Sequence, residues 1–234
     1  DVNVVKSAIF ERPDDANKGT LGSLLCVCGS YGMAGAAVMS AKGALRTGIG
    51  LAKCALPRSI YPIVAQTILE SVYYPLSENA DGRISKVNVP FLVSESCKSS
   101  ATLVGCGLGV CDDTLKIVFS LIENSTTPLV LDADALNCVA KQPEILLKKK
   151  APIIITPHPG EMSRLTGLAT PLVNAERERV ALDFAQKYGV VTVLKGAGTV
   201  IASPNGKVLV NPTGNSGMAT GGSGDVLAGM TASI

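Results

Sequence analysis

The sequence predicts an α/β fold, one three-layer α/β/α sandwich around a mainly parallel central sheet. Three observations predict it. Short apolar runs alternate with helix-like segments, which is the βα rhythm of such folds. Several of those runs are apolar throughout rather than alternating, as strands covered on both faces require. Most end in glycine or a polar residue, where a strand gives way to a turn beside a ligand. The chain of 234 residues is 47% hydrophobic and 17% charged, which supplies a core and argues against disorder. No internal repeat, linker or low-complexity segment divides it, so residues 1–234 form one domain.

In chain order, Leu24 to Cys28 reads as a buried strand closed by Gly29-Ser30. Met33 to Thr47 is an alanine-rich helix with Gly48 at its carboxyl cap. Leu51 to Ala55 is a strand stopped by Pro57, and Thr102 to Gly105, Leu129 to Asp132 and Pro152 to Thr156 are further strands. Lys148-Lys149-Lys150 closes a helix, where cations suit the dipole. Asn174 to Tyr188 is the clearest helix, with Asn174 as cap and Val180, Ala181, Phe184, Ala185 and Tyr188 as its apolar stripe. Gly189 stops it, and Val190 to Leu194 follows as a strand. Thr199 to Ala202 and Lys207 to Val210 flank a hairpin turn. Asp225 to Ile234 begins a last helix, with Val226, Leu227 and Met230 on its inner face.

Composition removes several function classes. The formal net charge of +2 is too small to argue for nucleic acid. No uninterrupted apolar stretch approaches the ~18 residues of a membrane span, and Asp1 to Phe10 lacks a signal pattern. Seven cysteines without paired Cys-x-x-Cys elements give neither a zinc site nor a disulfide framework. A reducing cytoplasm is the expected setting. No Gly-x-x-x-x-Gly-Lys-[Ser/Thr] loop and no Gly-x-Ser-x-Gly elbow is present. Gly105-Cys-Gly-Leu-Gly109 lacks the last glycine of a dinucleotide fingerprint.

Six segments can carry chemistry. In Thr220-Gly-Gly-Ser-Gly-Asp-Val226, glycines let several N–H groups converge just where a helix begins. Asp225 there is either a helix cap or a base that accepts a hydroxyl proton, and the two roles are compatible. Leu194-Lys-Gly-Ala-Gly-Thr-Val200 follows a strand and is either a phosphate or ribose loop or a plain connector. Thr156-Pro-His-Pro-Gly-Glu161 holds the chain's one histidine and is either a site or a surface turn. Glu161 suits a water-coordinated Mg²⁺ better than zinc. Leu131-Asp-Ala-Asp-Ala-Leu-Asn137 offers Asp132, Asp134 and Asn137 to a ligand or to capping. The glycine-rich stretches Gly29–Gly35 and Gly105–Gly109 allow either close ligand approach or tight packing.

These strings together resemble one family. Gly-Gly-Ser-Gly-Asp225 resembles the anion-hole signature of ribokinase-like enzymes, and His158-Pro-Gly-Glu161 stands where such kinases carry a Mg²⁺-associated element. Lys18-Gly19, Gly29-Ser-Tyr-Gly-Met-Ala-Gly-Ala-Ala37, Leu131–Asn137, Thr156–Glu161 and Asn211-Pro-Thr-Gly-Asn215 look like the ADP- or ATP-dependent NAD(P)H-hydrate dehydratase branch. The resemblance implies a ribokinase-like sandwich and a metabolite-repair lyase. A nucleotide, ADP or ATP with Mg²⁺, would phosphorylate the ring hydroxyl of the S form of hydrated NADH or NADPH. Phosphate would then leave and restore the reduced cofactor. Asp225 would be catalytic, with Gly222, Ser223 and Gly224 as anion hole. Nucleotide contacts would fall on Lys195, Gly196, Ala197, Gly198, Thr199 and Gly224, and hydrated-cofactor contacts on Ala37, Gly107, His158 and Asp225. Members often form tetramers, act beside an epimerase and run on by further helical sequence at the carboxyl end. Two rivals are a ribokinase-like kinase for a vitamin precursor or sugar, and a catalytically silent nucleotide-binding protein.

Overall fold

The structure, a computed structural model, describes residues 14–234. The expected absence of a signal pattern at Asp1 to Phe10 lies outside them. Among the described residues nine strands form one sheet. They are β1 (Ser23–Val27), β2 (Leu51–Pro57), β3 (Val72–Leu76), β4 (Ala101–Val104), β5 (Leu129–Leu131), β6 (Ile153–Ile155), β7 (Val191–Leu194), β8 (Thr199–Ala202) and β9 (Val208–Asn211). Their spatial order is β3-β2-β1-β4-β5-β6-β7-β8-β9. Every pair from β3 to β7 is parallel, and only the β7–β8 and β8–β9 pairs are antiparallel. The mainly parallel sheet and the terminal hairpin agree with the sequence reading.

The helices make the outer layers. On one face lie α1 (Ala34–Thr47), α2 (Tyr61–Thr67) and, after all the strands, α9 (Ser223–Ser233). On the other lie α3 (Val89–Cys97), α4 (Asp112–Asn124), α5 (Asp134–Val139), α6 (Pro159–Thr166), α7 (Thr170–Ala175) and α8 (Arg177–Tyr188). Strand alternation sorts β1 between the two cores: Leu25 and Val27 join one, Leu24 and Cys26 the other, with Cys28 just beyond the strand. Cys26 and Cys28 thus lie on the same face, and burial raises the Cys26 thiol pKa. All seven cysteines are free thiols.

Three local expectations need correction. The segment expected as one helix from Asn174 is two, broken at Glu176 (φ −125°, ψ 42°), so Asn174 lies inside α7 rather than capping α8. Pro171 starts the earlier helix, since proline is tolerated in a first turn. The lysine run does not close an α-helix but a 3₁₀ segment, Pro143–Lys148. Lys149 there donates to the Tyr188 carbonyl at 2.8 Å, at the carboxyl end of α8. The inner face of α9 carries Ala228, Gly229 and Ala232, while Met230 is exposed. Its backbone meets α1 too closely for large side chains: a Cβ on Gly229 would stand 1.9 Å from the Ser40 carbonyl oxygen.

Among the described residues no helix is long and apolar enough to cross a membrane.

Candidate active site

Strand order reverses between β1 and β4, because β2 and β3 extend one way and β4 onward the other. The crevice at the carboxyl ends of such strands is where open α/β sheets bind ligands. Two glycine-rich turns close over it. The Gly29 N–H donates to the Cys106 carbonyl at 2.8 Å, and the Ser30 hydroxyl to the Gly107 carbonyl at 2.8 Å. Gly107 needs its left-handed φ of 62°, and a Cβ there would stand 2.7 Å from that of Ala36. Ala37 is 3% exposed and faces Gly29, so its side chain belongs to the core.

The next three strands, β5, β6 and β7, end in a cluster of polar side chains. Asp132 follows β5 and is 1% exposed. Its Oδ1 accepts from Thr156 Oγ1 and from Lys195 Nζ, each at 2.7 Å, and its Oδ2 faces the Cys106 thiol at 3.7 Å. A buried carboxylate persists because it is paired and hydrogen-bonded on both oxygens. Ala133 beside it has φ 47° and ψ −114°, the one positive φ outside glycine among the described residues. This conformation costs about 1–3 kcal/mol in an alanine. It turns Asp132 towards Lys195 while Asp134 accepts from the Gly109 N–H at 2.8 Å. Asp134 thus ties the β4 turn to α5.

His158 and Glu161 form a reciprocal cap on α6. The His158 Nδ1 accepts from the N–H groups of Gly160 (3.0 Å) and Glu161 (3.3 Å), while Glu161 Oε2 accepts from the His158 N–H at 2.7 Å. Accepting at Nδ1 requires that nitrogen unprotonated. Burial, then the charges of Lys195 and Arg164, lower the His158 pKa and favour that form. The imidazole is half exposed while Glu161 is 5% exposed. Burial raises the Glu161 pKa, against the pull of Lys195 with its Nζ 3.9 Å away. Both Glu161 oxygens face groups of this cap or Lys195. The Lys195 N–H also donates to the Pro157 carbonyl at 2.8 Å, fastening the two motifs together.

The Gly221–Asp225 loop reaches the same cluster from the opposite layer. Gly222 (φ 91°) is the N-cap of α9, and a Cβ there would collide with the Met39 sulfur. Ser223 spends its hydroxyl on the Met218 and Thr220 carbonyls, at 2.7 and 3.0 Å. Gly224 and Asp225 are in the first turn of α9, where N–H groups lack intrahelical acceptors. A Cβ on Gly224 would lie 3.5 Å from Lys195 Nζ, so the ammonium stands directly against this turn. Asp225, Asp132 and Cys106 each offer a ligand atom within 4.8 Å of the others. Burial, reinforced by Asp132, raises the Asp225 pKa, and a hydrogen bond from Cys106 and the charge of Lys195 oppose this.

His158 and Asp225 therefore lie on one side of the molecule, linked through Lys195 and Asp132. Asp132 and Glu161 face the Lys195 ammonium, and Asp132 and Asp225 lie with the Cys106 thiol in one group; the carboxylates of this set, rather than the thiol, suit a hard, water-rich Mg²⁺ carried in by phosphates. The arrangement can hold a polyanion against Lys195 and the α9 turn while Asp225 takes a proton. Sequence reasoning missed the coupling of Asp132 to Lys195, 63 residues apart, and the thiol of Cys106. The strand-end position of Asp132 was the available signal. Cys106 gave none.

A family model described as NAD(P)H-hydrate dehydratase matches residues 24–234. The bifunctional NAD(P)H-hydrate repair enzyme Nnr of Thermofilum pendens is 41% identical over 95% of this chain and 43% of its own length. The chain thus spans less than half of such bifunctional relatives. The ADP-dependent (S)-NAD(P)H-hydrate dehydratase of Neisseria meningitidis is 34% identical, over 95% of this chain and 72% of its own. A crystal structure of the ADP/ATP-dependent NAD(P)H-hydrate dehydratase from Bacillus subtilis, co-crystallized with ATP/Mg²⁺, superposes with a TM-score of 0.80 at 33% identity, covering 97% of this chain and 76% of that one.

Proposed function

The chain belongs to the NAD(P)H-hydrate dehydratase family, and from that premise we propose that it restores NADH and NADPH from their hydrated S forms at the expense of ADP or ATP. The observation that carries the reading is the meeting of Asp225, Lys195 and the α9 turn at one strand edge. A ring hydroxyl placed at Asp225 loses its proton to the carboxylate as its oxygen attacks the terminal phosphoryl group. Gly222, Ser223 and Gly224 supply backbone at the turn; the N–H groups of Gly224 and Asp225 face the developing charge, and Lys195 neutralises it from the other side. The C–O bond of the resulting phosphate ester then breaks as a neighbouring ring carbon loses its proton, restoring the double bond and releasing inorganic phosphate. Mg²⁺, when bound, neutralises the donor phosphates, and Asp132, Glu161 and Asp225 are the carboxylates that would face its water shell.

The Lys195–Thr199 turn is the nucleotide's side of the site. Gly196, Ala197 and Gly198 leave its backbone open to a ligand, and Thr199 closes it by a hydroxyl bond to the Gly196 carbonyl at 3.0 Å. Gly107 and His158 border the hydrated cofactor's side, and Ala37 supports the Gly29 turn from beneath. A homotetramer acting with a separate epimerase in the cytoplasm completes the proposal.

The test is to supply hydrated NADH, Mg²⁺ and either nucleotide, and to follow both the reduced-cofactor absorbance and free phosphate. Equal release of the two supports the reading. A stable phosphorylated product without recovered absorbance would mark a kinase instead.

A further inference from the structure

We infer that Arg177, the first residue of α8, is a positioning residue for the donor nucleotide: it sets the shape of the Lys195–Thr199 turn from below. The inference rests on the proposed nucleotide role of that turn. The guanidinium NH2 donates to the Leu194 carbonyl at 2.8 Å and approaches the Gly198 carbonyl at 3.5 Å. It therefore clamps both ends of the turn, where β7 leaves and β8 begins. The middle of the turn rests on the same group. Gly196 has φ 151°, and a Cβ there would stand 2.9 Å from both NH1 and NH2. The carbonyls of Leu194 and Gly198 turn down towards the cation. Between them Gly196 and Ala197 stand exposed.

The cost of this arrangement is visible. Arg177 Nε is buried without a hydrogen-bond partner, and burial lowers the guanidinium pKa. An unpaired buried donor persists where another demand fixes the group. Among the described residues no carboxylate forms an ion pair with Arg177; the neighbouring Glu176 pairs with Arg179 instead. A positive charge without a direct ion pair thus stands beneath a turn proposed to meet phosphates. A cavity of about 560 Å³ opens on its outer side, lined by Glu176, Arg177, Ala197, Gly198, Val200 and Val210. Water can enter where the side chain is shortened.

The experiment measures nucleotide affinity and steady-state kinetics on Arg177→Met and Arg177→Lys. Losing a charged donor to two carbonyls weakens nucleotide binding by about tenfold or more. We expect the nucleotide Kd and KM to rise accordingly in Arg177→Met, while the KM for hydrated NADH changes less than about twofold. Arg177→Lys restores one bond and falls between, and it carries the test if Arg177→Met does not fold. A folded variant that binds nucleotide as tightly as the wild type overturns the inference, as does an equal rise in both KM values. Failure of the wild-type protein to bind nucleotide would instead sink the functional reading itself.

Discussion

Asp225 is held where a free carboxylate is uncomfortable. Burial and Asp132 raise its pKa, so the folded chain binds that proton more tightly than the unfolded chain does. The linked stability is present in acid and is lost as pH rises through the folded pKa. The ionised group is a burden on the fold and, in the proposed reaction, the base that takes the hydroxyl proton. Asp225→Asn should therefore leave the melting temperature equal or higher, while kcat falls by about 10²–10⁴. A folded variant with near wild-type turnover would remove Asp225 from the chemistry. Cys106 gives a second handle. Its thiol stands within 4.8 Å of the Asp225 and Asp132 carboxylates and pulls the Asp225 pKa down, so Cys106→Ala should raise that pKa further. The acid limb of the kcat/KM profile then moves to higher pH, and an unmoved or lowered limb contradicts the assignment. Asp225 and Lys195 could be picked out as candidates because each sits inside a glycine-rich string, although the Lys195 string read by itself also fitted a plain connector. Cys106 and Arg177 were not, because their partners come from other strands and turns that spacing along the chain does not reveal.

The last helix shows where pattern reading misleads at the scale of an element. Apolar size picks out Val226, Leu227 and Met230, yet the buried positions of α9 are Ala228, Gly229 and Ala232. The determinant is backbone approach, not side-chain volume. Val226 of α9 lies against Gly43 of α1, where a Cβ would stand 2.6 Å from the Val226 carbonyl oxygen. This close pairing matters to the site, since α9 begins at Gly222–Asp225 and any shift of its axis moves the turn. Gly229→Ala forces a Cβ to within 1.9 Å of the Ser40 carbonyl oxygen. It should cost about 1–3 kcal/mol or more in stability and reduce turnover as well. Gly35→Ala meets nothing within 4 Å and should stay within about 0.5 kcal/mol of wild type. Chemical denaturation of the two variants decides the matter, and equal stabilities would refute the tight-contact account. The strands were easier to read, because an apolar run covered on both faces has few alternatives. Regions where apolar and polar residues mix without clear punctuation, such as 58–100, gave no sequence reading, and α2, β3 and α3 lie there.

At the scale of the whole molecule, the sheet is what makes one site out of distant segments. Parallel strands bring their carboxyl ends to one edge, so turns after β1, β4, β5, β6 and β7 line up without being near in sequence. Alternation of strand and helix made that edge legible in advance. The crossing of α9 from the far end of the chain onto the same edge was legible only through its glycine string. The edge is ordered. Gly29, Gly107 and the strand reversal lie towards one end, the Lys195–Thr199 turn towards the other, and Asp132, His158 and Asp225 lie between. Two ligands laid along it would meet at Asp225 without overlapping. Phosphoryl transfer demands this, since reacting atoms must approach to about 3–3.5 Å. Nucleotide and reduced cofactor should accordingly bind at the same time. Calorimetric titration of ADP into protein saturated with NADPH should retain at least a third of the free-protein affinity, an offset of less than about 1 kcal/mol. Mutual exclusion would mean that the two share one pocket, and the division of the edge into a nucleotide half and a cofactor half would then be wrong.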